Sequence, residues 1–210
     1  RLLGQSYFYV GEDKQTGQDA SRDAYLKASA TMQRLDRVDP VPKTTPAYIA
    51  HIMAASLYRS GQYADASVDL ARAETFPENS RVALQMRAVA ALTMNQLNMA
   101  DYFYRRLRGR FGAIALEPAE LLARGLETGK IPVIVRFLEV IRLRGDADTS
   151  VLKVLALAYI RNNRVADAIT VLKQSAAMKP NDPETQLLLG DTHLMQRNTD
   201  AARGYYAAHL

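Results

Sequence analysis

The chain of 210 residues is mildly basic, with a formal net charge of +5 and a pI near 9.4, which permits acidic partners but selects none. It contains no cysteine, so a disulfide framework and a thiolate metal site are both excluded. It has no charged-then-apolar leader and no apolar run of about 18 residues. Because the sequence begins with Arg1, we expect a piece of a longer protein, and its compartment, cytoplasmic or periplasmic, stays open.

Residues 1–46 are predicted to form a first helix pair followed by a spacer. Gly11 is expected in the turn between the two helices, since glycine tolerates a positive φ. Residues 12–23, EDKQTGQDASRD, are polar and contain glycine, so we interpret them as an insertion that forms a loop or a lengthened helix start. Such an insertion is either tolerated loop growth or a contact for a partner.

From Ala47 onward the sequence repeats itself every 34 residues, and each repeat is predicted to be a pair of helices. The repeat 149–182 shows this most clearly, because apolar residues recur at helical spacing before and after Asn163. A fixed period of this length indicates stacked supersecondary units. Five units, the last of them truncated, begin at Ala47, Arg81, Ala115, Thr149 and Pro183.

Three columns of this frame predict how the helices meet. Positions 8 and 20 are expected at the closest approach of the two helices, where a larger side chain would overpack the contact. Position 15 is expected to end the first helix with a positive φ. Position 8 holds Ala54, Ala88, Leu122, Ala156 and Gly190; position 20 holds Ala66, Ala100, Ile134, Ala168 and Ala202; position 15 holds Gly61, Asn95, Gly129, Asn163 and Arg197.

These columns resemble the tetratricopeptide repeat family. The helix-pair length of 34 residues, the small residues at positions 8 and 20, Tyr159 at position 11 and Pro180 at position 32 all match its pattern, as does the Leu189–Gly190 pair. The family's tryptophan at position 4 is absent. The resemblance implies an all-α fold, a right-handed superhelical solenoid of antiparallel helix pairs, also called an α-α superhelix.

The second helix of the unit from Arg81 interleaves arginines with aromatic residues. Such a mixture can bind single-stranded nucleic acid. Here, however, the aromatic residues and one leucine share a helical stripe, which predicts a core face and leaves the arginines as a solvated face. Nucleic acid is therefore not the expected partner. The stripe consists of Phe103, Tyr104, Leu107 and Phe111.

The unit from Ala115 departs from the pattern, because Leu122 and Ile134 are both large where small residues are expected. Either the helix pair is splayed, with Gly125 compensating, or the frame slips locally. We expect an altered superhelical twist in this unit.

Catalytic and metal-binding motifs are absent from the sequence. It has no glycine-rich phosphate loop, nucleophile elbow or metalloprotease helix, so neither an enzyme nor a cofactor is expected. Of its three histidines, His193 and His209 could approach each other near Asp191, but a zinc site needs three or four ligands. A packed His193 is the favoured interpretation.

The resemblance implies that ligands lie against the first helix of each unit, at positions 2, 5, 9, 12 and 13. These columns lack the paired lysines and asparagines with which some family members clamp a carboxylate. They are largely apolar, with Tyr, His and Arg at one end, which suits an amphipathic helix or an extended peptide. Alternatively, superhelical packing buries many of them. The candidate groove residues are Tyr48, His51, Tyr58, Arg59, Gln85, Val89, Leu92, Lys153, Leu157, Arg161 and Asp191.

The expected function is therefore a protein-interaction scaffold that binds a protein or peptide. Two alternatives remain: a structural segment of a bacterial cell-envelope or polysaccharide-export system, and a docking arm of a larger enzyme. No polar capping helix follows the last unit, so the exposed end near Leu210 could support a homodimer.

Overall fold

The computed structural model describes residues 2–13, 17–38, 47–75, 77–112 and 118–209, and these residues form twelve α-helices and no strand. Among them, no helix is long and apolar enough to cross a membrane. The helices are α1 (Leu2–Glu12), α2 (Gln18–Val38), α3 (Ala47–Arg59), α4 (Tyr63–Ala73), α5 (Pro77–Thr93), α6 (Leu97–Phe111), α7 (Pro118–Glu127), α8 (Ile131–Leu143), α9 (Thr149–Arg161), α10 (Val165–Met178), α11 (Pro183–Met195) and α12 (Thr199–His209).

The chain divides into two compact units, unit 1 (Arg1–Leu116) with α1–α6 and unit 2 (Glu117–Leu210) with α7–α12. In each unit the helices pair in chain order, and α2 packs on α3, α4 on α5, α8 on α9 and α10 on α11. First helices of successive pairs also touch, α3 with α5 in unit 1 and α9 with both α7 and α11 in unit 2. The predicted all-α class of stacked helix pairs is confirmed.

The turn inside each pair from Ala47 onward depends on one residue in the left-handed region. The N–H of the residue after it donates to the carbonyl five residues earlier at 2.7–2.9 Å in all five turns, which is the bond of a Schellman cap. The position 15 column is thereby confirmed along its whole length. Its φ values are 83° for Gly61, 61° for Asn95, 65° for Gly129, 58° for Asn163 and 61° for Arg197.

The small-residue columns are also confirmed in most units. A β-carbon at Gly190 would lie 2.3 Å from Cε1 of Tyr206, so only glycine permits this approach of α11 and α12. Six of the alanines at these columns have no exposed surface, as expected where two helices pack closely. These alanines are Ala54, Ala66, Ala88, Ala100, Ala156 and Ala168.

In the helix pair α7–α8, the closest contact lies at Gly125 of α7 and not at Leu122, so the two large residues at positions 8 and 20 do not overpack. Ile134 is buried, and a β-carbon at Gly125 would lie 2.2 Å from its Cδ1 atom, so Gly125 takes the role expected of position 8. Leu122 is only half-buried. Gly129 keeps its place in the turn column, so the frame does not slip. Compensation by Gly125 is the alternative that the structure supports.

The first helix pair corrects the predicted role of Gly11. This residue lies inside α1 and is not in a turn, and its β-carbon would lie 2.6 Å from the ring of Tyr25 on α2. It is therefore a close-approach glycine like Gly190. Within the predicted insertion, residues 18–23 form the start of the long helix α2, whereas residues 14–16 lie outside the described ranges.

Helix α6 confirms the aromatic stripe in part. Phe103, Tyr104 and Leu107 are buried, but Phe111 is 38% exposed because it lies in the last turn, beyond the packed part of the helix. The arginines are not simply a solvated face. Arg106 pairs with the buried Glu74 at 2.6 Å, and Glu74 also pairs with Arg87, whose guanidinium lies 4.1 Å from the Phe103 ring centre.

Arg197 is the one side chain in the turn column that is neither glycine nor asparagine. The left-handed region costs a residue such as arginine about 1–2 kcal/mol, and glycine avoids this cost. Because glycine also loses more conformational entropy on folding, Arg197→Gly is expected to stabilise the α11–α12 pair by only about 0.5–1 kcal/mol. Amide hydrogen exchange in these helices measures the change. Gln196→Gly, at a φ of −84°, is the matched control and should lower protection. Equal effects of the two variants would contradict this account of the turn.

Candidate protein-binding groove

Unit 2 contains a pocket of about 410 Å³ formed by the first helices of its three pairs. These helices share one side of the unit because each second helix packs behind its own first helix and the next pair. The pocket is lined by Leu122, Ala123 and Leu126 from α7, by Ser150, Lys153, Val154 and Leu157 from α9, and by Glu184 from α11. We call this pocket and the exposed face of α11 beside it the unit 2 groove.

The floor of the unit 2 groove is aliphatic and open to solvent. Leu126 on α7 is 47% exposed, although it is a large apolar side chain on a helix with a buried face. On α11, Leu187 and Leu194 are 41% and 51% exposed. Exposed aliphatic side chains on helices that also form a pocket are typical of a surface that binds another molecule.

The polar edge of the groove is an ion-paired lysine. Lys153 donates to Asp182 at 3.2 Å and also pairs with Glu184, linking α9 to the start of α11. Burial disfavours its charge, but the hydrogen bonds to Glu184 and Asp182 outweigh this and raise the pKa of Lys153 above its ordinary value. Lys153 is therefore charged at neutral pH.

Asp182 anchors this edge as the N-cap of α11. Its carboxylate accepts hydrogen bonds from the Thr185 hydroxyl at 2.7 Å, the Thr185 N–H at 3.1 Å and the Lys179 ammonium at 3.1 Å. These bonds, the Thr185 hydroxyl first, hold the pKa of Asp182 well below its usual range despite burial. Thr185 in turn lies 3.2 Å from the Ser175 hydroxyl on α10. The network fixes the position of Lys153 in the groove.

Four predicted groove residues belong to unit 2, and all four are at its surface. Lys153 and Leu157 line the pocket. Arg161, at the end of α9, and Asp191, on α11, are exposed, and Asp191 accepts a hydrogen bond from the Tyr206 hydroxyl at 2.7 Å.

The predicted residues of unit 1 are divided between core and surface. Tyr58, Val89 and Leu92 are at most 1% exposed, so they pack the helix pairs and do not form a binding surface. The prediction of these three residues as groove residues is therefore wrong. The alternative, that superhelical packing buries them, agrees with their lack of exposure. Gln85 is half-buried, and the side chain of Tyr48 lies outside what the structure describes.

His51 and Arg59 form a polar cluster with Glu12 of α1. Arg59 Nε lies 3.4 Å from Glu12 Oε1, which also accepts the Tyr25 hydroxyl at 2.8 Å. Burial lowers the pKa of His51, with Glu12 opposing and Arg59 reinforcing this shift. Glu12 and Tyr25 are not among the predicted site residues, because Gly11 was expected in a turn and not inside α1.

Six lining residues of the pocket are outside the predicted groove list. Ala123, Leu126, Ser150 and Glu184 are at ligand columns of the repeat, whereas Leu122 and Val154 are at positions 8 and 6, outside those columns. The shift of the close contact to Gly125 is what leaves Leu122 at the pocket. The two large residues at positions 8 and 20 of this unit were the signal for it.

His193 is packed, as predicted. It is 8% exposed, and its ring stacks on Tyr205 with centroids 5.3 Å apart and an interplanar angle of 12°. Neither ring nitrogen has a hydrogen-bond partner in the described part of the chain. The side chain of His209 lies outside that part, within which no group of three His, Asp or Glu side chains could hold a metal ion.

Comparison with known families finds a match to the last part of the chain. Residues 154–210, which are 57 of the 210 residues, match the model of the tetratricopeptide repeat family. This match agrees with the resemblance seen in the sequence pattern, and repeats of this class form scaffolds for protein–protein interaction. No curated protein matches the sequence.

Several solved structures are similar to the chain at low identity. MamA 41-end from Desulfovibrio magneticus RS-1 is 14% identical, with 98% of this chain and 92% of that chain covered and a TM-score of 0.39. The pilF protein of Pseudomonas aeruginosa is 21% identical, with coverages of 92% and 77% and a TM-score of 0.42. MamA MSR-1 C2 is 12% identical, with coverages of 100% and 95% and a TM-score of 0.39. At such TM-scores none of these proteins defines the function of this chain.

Acid is expected to loosen the α11–α12 pair through His193. Burial, and to a lesser degree Lys173, lower the pKa of His193 below its ordinary value of 6.5, so the unfolded pair binds more protons than the folded pair at acidic pH. Protection of these helices against hydrogen exchange should therefore fall as the pH drops below about 6.5, toward the lower pKa of His193 in the folded pair.

The control for this prediction is His193→Phe, which keeps a ring against Tyr205 and removes the titration. Protection of α11 and α12 should then depend less on pH. An unchanged pH dependence in this variant would show that another group is responsible.

Proposed function

We propose that this chain is a non-catalytic interaction module whose unit 2 groove binds an amphipathic helix or an extended peptide of a partner protein. The observation that carries the proposal is the coincidence of the pocket with exposed aliphatic side chains on the same first helices. Binding would bury Leu126, Leu187 and Leu194, each of which is exposed to solvent in the free chain.

The size and shape of the groove support this mode of binding. A pocket of about 410 Å³ lies within the range of small-ligand sites and accepts one or two large side chains. The exposed leucines extend beyond it along α11, which spans 13 residues. A single side chain anchored in a pocket, with flanking contacts that exclude water, is how most interfaces gain their affinity.

The groove offers little for catalysis. Its polar lining residues are Ser150, Lys153 and Glu184. Lys153 is held as a charged ammonium by two carboxylates, whereas a nucleophilic lysine needs a lowered pKa. No described histidine lines the pocket to activate Ser150. These features support a binding role without a bond-making step.

Selection of peptides from a displayed random library against the full chain tests the proposal. The selected peptides should lose at least about tenfold in affinity, about 1.4 kcal/mol, when Leu126→Glu places a charge in the groove. Leu126 is half in solvent and glutamate favours helices, so the variant is expected to fold.

Leu143→Glu is the matched control, because Leu143 is 78% exposed on α8, outside the groove. Affinity should be unchanged in this variant. Peptides that bind both variants as well as the parent chain, or a library that yields no binders, would contradict the proposed function. Light scattering during the same work would separate peptide binding from homodimer formation.

A further inference from the structure

The charged residues of the two helices that form the unit 2 groove have opposite signs. Helix α9 carries Lys153 and Arg161 and no acidic residue, whereas α11 carries Glu184 and Asp191 and neither lysine nor arginine. On each helix the two charges are about two turns apart, roughly 10–12 Å. The groove therefore has basic residues on α9 and acidic residues on α11, and α11 also carries the exposed Leu187 and Leu194.

The first pair of charges is satisfied inside the chain. Lys153 is ion-paired with both Asp182 and Glu184, and Asp182 has further donors in Thr185 and Lys179. A partner gains little by competing for this lysine, because its removal would take one of two cations from the buried Asp182 carboxylate.

The second pair of charges is open. Arg161 is exposed and makes no ion pair with any described residue. Asp191 is exposed and, among the described residues, accepts only the neutral Tyr206 hydroxyl, at 2.7 Å, so no described cation compensates its negative charge. These two residues present unpaired charges of opposite sign to an incoming molecule.

Asp191 also lies between the two exposed leucines of α11. Leu187, Asp191 and Leu194 follow the spacing i, i+4, i+7, which places them on one stripe of the helix. The stripe is therefore aliphatic, acidic and aliphatic in turn. A complementary surface has two aliphatic side chains with a basic side chain between them.

We propose that the occupant of the groove is an amphipathic partner helix with two aliphatic residues two turns apart, a lysine or arginine between them that faces Asp191, and an acidic residue on the opposite flank that faces Arg161. This inference rests on the proposed function, since it specifies the partner of the same groove. The charges would set the orientation of the partner helix, and the leucines would supply most of the affinity.

The test uses the peptides selected against the full chain and the variant Asp191→Asn. Asparagine keeps an oxygen that can accept the Tyr206 hydroxyl and removes only the charge. Peptides with the basic residue should bind this variant about fivefold more weakly, and the difference should shrink between about 50 mM and 500 mM salt. Asp200→Asn, which removes an exposed carboxylate from α12, should leave their affinity unchanged.

Three outcomes decide the matter. Selected peptides that carry the aliphatic–basic–aliphatic pattern and weaken with Asp191→Asn alone support the inference. Peptides that depend on Leu126 but lack a basic residue, or that ignore Asp191→Asn, overturn the inference and leave the proposed function standing. A selection without peptides that depend on Leu126 overturns both.

Discussion

The left-handed residue that ends the first helix of each pair from Ala47 onward is the constraint on which the rest of the structure depends. It reverses the chain within a few residues, and the Schellman bond closes the turn at nearly the same length in all five pairs from Ala47 onward. Because the reversal recurs every 34 residues, the first helices within unit 2 come to lie on one side. A groove lined by α7, α9 and α11 is a direct consequence.

Most of the fold could be predicted from the sequence, because the 34-residue period determines where each helix begins and ends. Alanine at positions 8 and 20 and glycine or asparagine at position 15 each have one physical reason, and the structure places them accordingly. The prediction was wrong where one residue type can serve two structural roles. Gly11 suits a turn and a close helix contact equally well, and only the position of the Tyr25 ring decides between them.

The candidate site was harder to predict than the fold. The ligand columns of the family include positions that bury their side chains in unit 1, as Tyr58 and Leu92 show, because neighbouring pairs pack over them. In unit 2 the pocket includes Leu122, which the pattern assigned to packing. Its exposure depends on the substitution of Gly125 for the usual contact at position 8, a compensation that depends on three-dimensional packing.

The unit 2 groove combines an edge held by charge and hydrogen bonds with an exposed aliphatic floor. Asp182 caps α11, bonds Thr185 and holds Lys153, so the ends of α9 and α11 are fixed together by charge and hydrogen bonds. The leucines of the groove, Leu126, Leu187 and Leu194, are 41–51% exposed. This arrangement favours binding with a small loss of conformational entropy, because the ion-paired edge of the groove is already formed before the partner binds.

The most direct measurement of the central claim is backbone amide mapping of the chain, by NMR chemical-shift change, with a saturating groove-binding peptide. The account predicts that the largest changes fall on α7, α9 and α11, around Leu126, Leu157 and Asp191. Changes concentrated on α8, α10 and α12, or in unit 1, would show that the partner binds elsewhere and would contradict the account.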